Sequence, residues 1–228
     1  MLKRERLHKI IEMVNTQGII TVNEIINKLN VSDMTIRRDL DELDKAGKVV
    51  RIHGGAQSIS YSINQELSHS EKQTLQIEEK RKIVELASTY INDGDTIFLG
   101  PGTTIELLAH FLINKRIRIV TNNYPAFEIL KQSDSVNIIL TGGDFRKNTG
   151  ALVGPITNAN LKRINFTKSF ISANGIHNES ICTYNIEEGE AQEIALNNSR
   201  TKYLLLDNKK LNKDVKIHYE QYVNIIVT

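Results

Sequence analysis

Hydroxyl, guanidinium and imidazole side chains are closely spaced near the start of this sequence: Ser32, Thr35, Arg37, Arg38, Arg51 and His53. A guanidinium group can donate paired hydrogen bonds to guanine O6 and N7 or to a phosphate, and a threonine can contact a thymine methyl group or a phosphate oxygen. These residue types therefore suit contact with DNA. The alternative is that Arg37 and Arg38 only form ion pairs on a solvated helix with their acidic neighbours: Asp39, Asp41 and Glu42.

A second polar group has the composition of an anion-binding loop. The sequence GPGTT separates an apolar run from an amphipathic segment. Gly100 and Gly102 allow backbone amides to face a ligand, and a helix N-terminus after them favours an anion. Thr103 and Thr104 add hydroxyl donors. The loop is neither a P-loop nor a dinucleotide-binding GxGxxG, which favours a small phosphate ester over ATP or NAD. The alternative is a tight turn without a ligand.

Two further polar stretches also follow apolar runs. Asn122, within TNN, has amide groups that suit sugar hydroxyls. Gly142 and Gly143 precede Arg146 in TGGDFR, where the guanidinium suits a charge-assisted hydrogen bond to phosphate. The alternatives are that the asparagines cap a helix and that Arg146 is a surface charge. Three polar strand ends on one edge of a sheet together favour a ligand pocket.

Apolar periodicity predicts that the first group is positioned by three short helices. Two segments repeat apolar residues at i, i+3, i+4 and i+7: Leu7, Ile10, Ile11 and Val14, then Val22, Ile25, Ile26 and Leu29. Thr21 and Glu24 have the spacing of a capping box, and Ser32 is suited to cap the third helix. In that helix the apolar residues Ile36, Leu40 and Leu43 are predicted to point inward, which leaves Thr35, Arg37, Arg38 and Lys45 facing outward.

A small basic β-hairpin carrying Arg51 and His53 is predicted to follow, with Gly54 and Gly55 allowing a sharp turn. Three such helices and a hairpin form a winged helix-turn-helix, which places a helix in the major groove of DNA. We predict this domain over residues 1–57.

The distribution of charge agrees with this prediction. The chain has 228 residues and a formal net charge of +2. Residues 1–57 hold 10 basic and 8 acidic residues, whereas the remaining 171 hold 19 of each. The excess is small, so DNA binding would depend on placement and dimerisation more than on bulk charge. Residues 58–76 show no helical or strand period and are predicted to be a linker.

Residues 77–228 are predicted to form an α/β domain in which apolar strands alternate with helices. We predict strands at 96–99, 118–121, 136–141, 169–173, 203–207 and 223–227, and helices at 77–92, 105–112, 124–131 and 187–200. In the first of these helices, Lys80, Arg81 and Lys82 are predicted to be exposed. Continuous apolar strands of this kind form a doubly wound, mostly parallel sheet, whose ligands bind at the carboxyl ends of the strands.

Composition excludes several other classes of protein. One cysteine, Cys182, cannot form an internal disulfide or a Cys-rich zinc site, and the six histidines are scattered without the spacing of metal ligands. We therefore predict neither a cofactor nor a metal. The charged N-terminus is not a signal peptide, and no apolar run approaches the ~20 residues that cross a bilayer. We expect a cytoplasmic protein with no membrane partner.

Several of these segments resemble the DeoR family of bacterial regulators. NVSDMTIRRDLDELDKAGKVVRIHGGA is similar to the N-terminal signature of the family, and GPGTTIELLA, VTNN, TGGDFR and EGEAQEIAL…YLLLDNKKL are similar to its effector domain. The resemblance covers nearly the whole chain and is greatest to the lactose subgroup. It implies a sensor domain related in fold to ribose-5-phosphate isomerase and coenzyme A transferases. Many members continue beyond the strand near Thr228.

The resemblance also implies roles for individual residues. Gly100, Gly102, Thr103 and Thr104 would hold a phosphate. The sugar would contact Gly142, Gly143 and Arg146, with Asn122, Glu190 and Lys210 near the pocket. In the lactose subgroup the ligand would be tagatose 6-phosphate. Asn174 stands where many members carry aspartate, and an amide can donate as well as accept, so ligand preference would differ.

The expected function is that of a repressor that dissociates from double-stranded operator DNA when a phosphorylated sugar binds. We expect it to be a homo-oligomer, either a dimer or a tetramer. One alternative is an enzyme resembling a sugar-phosphate isomerase, with Asp144, Glu190 or Asp207 as base and Lys210 as electrophile. Another is an activator, since activators use the same DNA-binding module.

Overall fold

A computed structural model describes residues 1–52, 54–58, 66–178, 180–215 and 217–227 of the chain. These residues form two compact units, Met1–Glu66 and Leu67–Thr228. His53, one of the predicted DNA-contacting residues, and residues 59–65 of the predicted linker lie outside the described residues.

The described N-terminal unit is a helical bundle with an antiparallel sheet of strand order β1-β3-β2. Its elements are α1 (Lys3–Gln17), β1 (Ile19–Thr21), α2 (Val22–Leu29), α3 (Asp33–Lys45), β2 (Val50–Ile52) and β3 (Gly55–Gln57). This is the predicted winged helix-turn-helix, with β2 and β3 as the wing.

Local hydrogen bonds define the turn of this motif. The Thr21 amide donates to Glu24 Oε2 at 2.7 Å and the Glu24 amide donates to Thr21 Oγ1 at 3.3 Å, so the predicted capping box is formed. Asn30 ends α2 in the left-handed region at φ 50°, which turns the chain towards α3. Ser32 is the N-cap residue of α3, but its hydroxyl bonds to Thr35 Oγ1 at 2.9 Å rather than to a helix amide.

Apolar side chains from all three helices form one core, and a buried ion pair joins two of the helices. The core residues are Ile10, Val14, Ile20, Val22, Ile25, Ile36, Leu40, Leu43, Val49 and Ala56. Beside them, Arg6 on α1 donates from Nη2 to Asp39 Oδ1 on α3 at 3.1 Å, and the carboxylate is only 4% exposed. Asp39 therefore pairs with α1 and not with the neighbouring arginines of its own helix.

The C-terminal unit contains a six-stranded sheet in which every adjacent pair of strands is parallel, with strand order β14-β12-β9-β4-β5-β6. Its helices and strands begin with α4 (His69–Gln73), α5 (Ile77–Thr89), β4 (Thr96–Leu99), α6 (Thr103–Leu112), β5 (Arg118–Thr121), α7 (Tyr124–Leu130), β6 (Asn137–Leu140), β7 (Asp144–Arg146), β8 (Ala151–Val153) and α8 (Pro155–Leu161). They continue with β9 (Phe166–Ser172), β10 (Gly175–His177), β11 (Ser180–Thr183), α9 (Ile186–Asn197), β12 (Ser199–Leu206), a 3₁₀ turn at Asn208–Lys210, β13 (Ile217–Glu220) and β14 (Asn224–Val227).

Helices cover both faces of this sheet, as predicted. Ile97 and Leu99 of β4 join one apolar core with residues of α5, α6 and α7, whereas Phe98 joins a second core with residues of α8 and α9. Alternate side chains of a strand point to opposite faces, so a strand that is buried on both sides reads as a continuous apolar run. The sequence therefore indicated the sheet correctly.

Four features differ from the predicted secondary structure, the first of which is α8, a helix that the sequence analysis did not predict. A hairpin of β7 and β8 follows the large sheet, and β10, β11 and β13 form a separate antiparallel sheet. These strands have three or four residues each and carry too few apolar positions to show a period. Within the predicted linker, α4 begins at a second capping box, between Ser68 and Glu71.

Candidate functional site

The exposed side of α3 presents the predicted DNA-contacting residues near its N-terminus. Arg37 and Arg38 are exposed and Thr35 is half-buried. Arg37 pairs with Asp33, one turn earlier, at a distance of 2.5 Å between Nε and Oδ1. Arg38 is a cation for which the described residues provide no ion pair or side-chain hydrogen bond, and it is therefore available to an external anion.

Arg51 has an internal role in the wing. Its Nε donates to Asp41 on α3 at 3.0 Å, and its Nη1 donates to the carbonyl oxygens of Ile52 and Gly55. The backbone amide of Arg51 also donates to Asp44 at 2.8 Å. These contacts tie the wing to α3, so Arg51 positions the wing in addition to any contact with DNA.

In the C-terminal unit, the glycine–threonine loop lies at the carboxyl edge of the parallel sheet, between β4 and α6. Gly102 is the N-cap residue of α6 with φ 120°, a conformation that side chains rarely adopt. A Cβ on Gly100 would lie 3.1 Å from the Ile171 side chain, so the loop is close against β9. The free amides at the start of α6 and the helix dipole favour an anion at this point.

The two threonines of this loop differ in their surroundings. Thr103 is half-buried, whereas Thr104 is 1% exposed. The buried Thr104 Oγ1 has no hydrogen-bond partner among the described residues. A buried hydroxyl without a partner costs about 1–3 kcal/mol, so it is usually retained for a ligand or water.

Asparagines after β5 join the loop to the β7–β8 hairpin. Asn123 donates from Nδ2 to the carbonyl oxygens of Gly100 and Gly102 at 3.1 and 3.3 Å, and its Oδ1 caps α7. Asn122 donates from Nδ2 to Leu152 of β8 at 2.9 Å, and its Oδ1 is buried without a described partner. Asn123 therefore has the helix-capping role considered as an alternative, whereas Asn122 bonds to β8 and has one acceptor without a partner among the described residues.

A lysine side chain, that of Lys210, lies at the same carboxyl edge of the parallel sheet. Lys210 lies with Nζ 3.4 Å from Ser172 Oγ and 3.6 Å from Asp207 Oδ2. A Cβ on Gly102 would lie 3.4 Å from Ser172 Cβ, so Lys210 and the glycine loop meet at Ser172. Burial lowers the pKa of the Lys210 ammonium to about 8, and Asp207 acts in the opposite direction.

Lys80 was predicted to be exposed and is instead 5% exposed. Its ammonium donates to the carbonyl oxygen of Lys72, and burial lowers its pKa, an effect that the charges of Asp207 and Glu106 oppose. The apolar periodicity of α5 places Lys80 on the exposed face of the helix. The sequence pattern could not show its burial, because Lys80 contacts the chain segment that precedes α5.

The chain segment before α5 contains α4, which contacts both α6 and the turn between β7 and β8. His69 Nε2 lies 2.7 Å from Glu106 Oε2 in the first turn of α6, and Gln73 Nε2 donates to Glu106 Oε1 at 3.0 Å. The His69 amide donates to the carbonyl oxygen of Asn148, in the β7–β8 turn, at 2.8 Å. Sequence analysis missed these residues, since α4 is too short to show periodicity.

The remaining predicted residues have mixed positions. Arg146 donates to Glu188 Oε1 on α9 at 3.0 Å, and Thr149 also donates to that oxygen. Glu190, the acidic residue predicted near the pocket, is exposed on α9, and the buried carboxylate beside Arg146 is Glu188. Helical phase explains the difference, because residues two apart on a helix point in different directions.

Gly142, Gly143 and Asn174 follow the ends of two strands. Gly142 and Gly143 have φ values of 71° and 116°, and the Gly142 carbonyl accepts a hydrogen bond from Thr157 Oγ1 at 2.6 Å. A Cβ on Gly143 would lie 2.2 Å from that hydroxyl oxygen, so glycine is required there by packing. Asn174 accepts from Thr183 Oγ1 at 3.4 Å.

These groups together suit the binding of a small anion with polar substituents. The edge combines a helix N-terminus, the buried Thr104 hydroxyl, which has no partner in the described part of the chain, and the ammonium groups of Lys80 and Lys210. Two of the carboxylates considered as a catalytic base, Asp144 and Glu190, are exposed and lack the environment that tunes the pKa of a base. The third, Asp207, is buried and pairs with Lys210.

Comparisons with known proteins agree along the whole chain. Residues 6–62 match the family model of the DeoR-like helix-turn-helix domain, and residues 75–228 match that of the DeoR C terminal sensor domain. The chain is 45% identical over 216 residues to the lactose phosphotransferase system repressor of Lactococcus lactis subsp. lactis, covering 93% of this chain and 85% of that protein. It is 48% identical to the repressor of the same name from Staphylococcus epidermidis, covering 94% and 86%.

Among solved structures, ribose 5-phosphate isomerase A from Neisseria gonorrhoeae matches with a TM-score of 0.45 and 18% identity, covering 60% of this chain and 55% of that one. In the part of the chain that the structure describes, no helix is both long and apolar enough to span a membrane.

Proposed function

The chain belongs to the DeoR family, and on that basis we propose that it is a DNA-binding repressor of a lactose-utilisation operon, released from its operator by a phosphorylated sugar. Family membership and the names of its relatives identify a regulator and not an enzyme. The partners of such a protein are double-stranded operator DNA and a small sugar phosphate.

The DNA-binding part of the proposal is supported by α3. Its exposed face carries Arg38, which has no ion pair or side-chain hydrogen bond with the described residues, and the half-buried Thr35. Both lie in the N-terminal half of the helix that enters the major groove in this motif. A single domain with an excess of two basic residues has little electrostatic affinity. We therefore propose that the repressor binds two half-sites as a homo-oligomer, either a dimer or a tetramer.

The observation that carries the effector proposal is that Lys210, the N-terminus of α6 and the buried Thr104 hydroxyl, which has no hydrogen-bond partner among the described residues, lie at one edge of the sheet. A phosphate would accept hydrogen bonds from the hydroxyls of Thr103 and Thr104 and from the amides of the glycine loop. Its negative charge would also favour the ammonium forms of Lys80 and Lys210, which burial disfavours. The sugar would then extend towards Asn122 and Arg146.

We propose tagatose 6-phosphate as the inducer, because the relatives belong to the lactose subgroup. Asn174, which follows β9, has an amide where many family members have a carboxylate. We propose that this difference affects which sugar phosphate is preferred. The inducer lowers operator affinity only to the extent that it binds the DNA-bound and released states unequally. This induction mechanism requires no cofactor.

Thermal unfolding with a panel of sugar phosphates and their unphosphorylated parents tests this proposal. A ligand at 100 times its Kd stabilises the native state by about 2.7 kcal/mol, which gives a measurable rise in melting temperature. We expect the largest rise with tagatose 6-phosphate and none with tagatose. Equal shifts with tagatose, or no shift with any phosphorylated sugar, would contradict the effector assignment while leaving the DNA-binding assignment unaffected.

A further inference from the structure

The small antiparallel sheet brings together two residues that are far apart in the sequence. Cys182 on β11 and His218 on β13 are direct partners in the strand register, so their side chains lie on the same face. Asp214, four residues before His218, reaches the same point, and its Oδ1 lies 2.7 Å from His218 Nε2. Spacing along the chain gave no indication of this cluster, because strand pairing alone creates it.

The three donor atoms are close to each other. The Cys182 sulfur, a carboxylate oxygen of Asp214 and a ring nitrogen of His218 all lie within 4.8 Å of one another. Cys182 is buried, whereas the side chains of His218 and Asp214 are 41% and 60% exposed. The cluster thus has one buried soft donor and two donors that solvent can reach.

We propose that Cys182, Asp214 and His218 bind a divalent transition metal of the zinc class. Zinc takes thiolate, imidazole and carboxylate ligands, and three protein ligands leave a fourth position for water. Ligand bonds of about 2.0–2.3 Å place tetrahedral donors roughly 3.5 Å apart. The donor atoms therefore approach by at most about 1.3 Å, whereas Asp214 Oδ1 and His218 Nε2, which are 2.7 Å apart, move slightly away from each other. Rotation of the exposed His218 and Asp214 side chains provides this movement.

The binding step is balanced by the loss of one proton. The metal forms a bond to the Cys182 sulfur, and the thiol proton leaves to solvent, while His218 binds as the neutral imidazole and Asp214 as the carboxylate. Hard cations such as Mg²⁺ and Ca²⁺ prefer all-oxygen ligands and do not match this donor set.

The metal-binding cluster lies close in sequence to residues of the proposed effector site. Asp214 follows Lys210 by four residues, in the segment that joins the 3₁₀ turn to β13. Cys182 lies on β11, directly before the segment that leads into α9 and Glu188. A metal here joins β11 to the segment after Lys210, and thereby stabilises the small sheet.

Cobalt titration of the full chain tests the proposal, because Co²⁺ is coloured and replaces zinc with the same ligands. We expect a thiolate-to-cobalt charge-transfer band in the near ultraviolet, which addition of Zn²⁺ removes. Loss of an outer-shell partner lowers metal affinity about 10–100-fold, so loss of a direct ligand in Asp214→Asn or His218→Asn should weaken Co²⁺ binding by at least roughly 10-fold. Both side chains are exposed, so these variants should still fold.

Two controls make the result decisive. His110→Asn removes an exposed histidine on α6 and should bind Co²⁺ like the wild type. Cys182→Ser should lose the charge-transfer band, whether or not its stability changes. The proposal is overturned if the wild type shows no such band with Co²⁺, or if Asp214→Asn and His218→Asn titrate like the wild type.

Discussion

The variant Arg38→Ala is expected to lower operator affinity by about 10- to 100-fold per half-site while leaving the response to sugar phosphate unchanged. Arg38 is exposed on α3 and has no ion pair among the described residues, so its charge is free to contact DNA. A bidentate arginine–guanine contact contributes about 1–3 kcal/mol, and the loss of a phosphate contact reduces the slope of log K against log salt concentration by about 1. Fluorescence anisotropy of a labelled operator at several salt concentrations measures both quantities.

A matched control for this variant is Arg163→Ala, which removes an exposed arginine from the sensor unit and should not change operator affinity. The melting shift with sugar phosphate should persist in both variants. Loss of operator binding together with loss of that shift would mean that Arg38 is required for folding. Unchanged operator affinity in Arg38→Ala would place the DNA contact elsewhere.

The double variant Thr103→Val, Thr104→Val is expected to retain operator binding and to lose induction. Each hydrogen bond from a hydroxyl to a charged group contributes about 1.5–3 kcal/mol, so the loss of two should weaken inducer binding by roughly 100-fold or more. Stability should not fall, since valine has nearly the shape of threonine and removes a buried hydroxyl that lacks a partner. Calorimetric titration with the inducer and a melting curve without it measure these two effects.

The control for this variant is Thr201→Val, a half-buried threonine on β12 away from the loop, which should keep the inducer affinity of the wild type. If the double variant responds at an unchanged inducer concentration, the phosphate site is not at the N-terminus of α6.

The winged helix-turn-helix and the large parallel sheet were predictable because their signals are local. The Thr21–Glu24 capping box lies within one turn, and apolar periodicity determines which face of each helix is buried. The six strands are buried on both faces, so each shows a continuous apolar run that needs no knowledge of its neighbours. The glycine–threonine loop was found for the same reason, since its spacing and its position between a strand and a helix are both visible.

Burial that arises from distant segments could not be predicted. Lys80 was predicted to be exposed on α5, but it is buried and its ammonium donates to the carbonyl oxygen of Lys72, in the chain segment that includes α4. Glu188 contacts Arg146 across 42 positions, and the sequence pattern did not distinguish it from Glu190. The cluster of Cys182 and His218 likewise depends on the pairing of two short strands. Which residues contact DNA and inducer stays a prediction.

The central claim is tested most directly by measuring how sugar phosphates release the full chain from a DNA duplex that was selected for binding to it. Fluorescence anisotropy at constant ionic strength monitors this release. Tagatose 6-phosphate and other sugar phosphates are added in parallel with tagatose. Allosteric coupling of about 1–3 kcal/mol corresponds to a 5- to 150-fold loss of affinity, and we predict a loss in this range with tagatose 6-phosphate and none with tagatose. A complex that no phosphorylated sugar weakens, or that tagatose weakens equally, would contradict the account of this protein as a repressor controlled by a sugar phosphate.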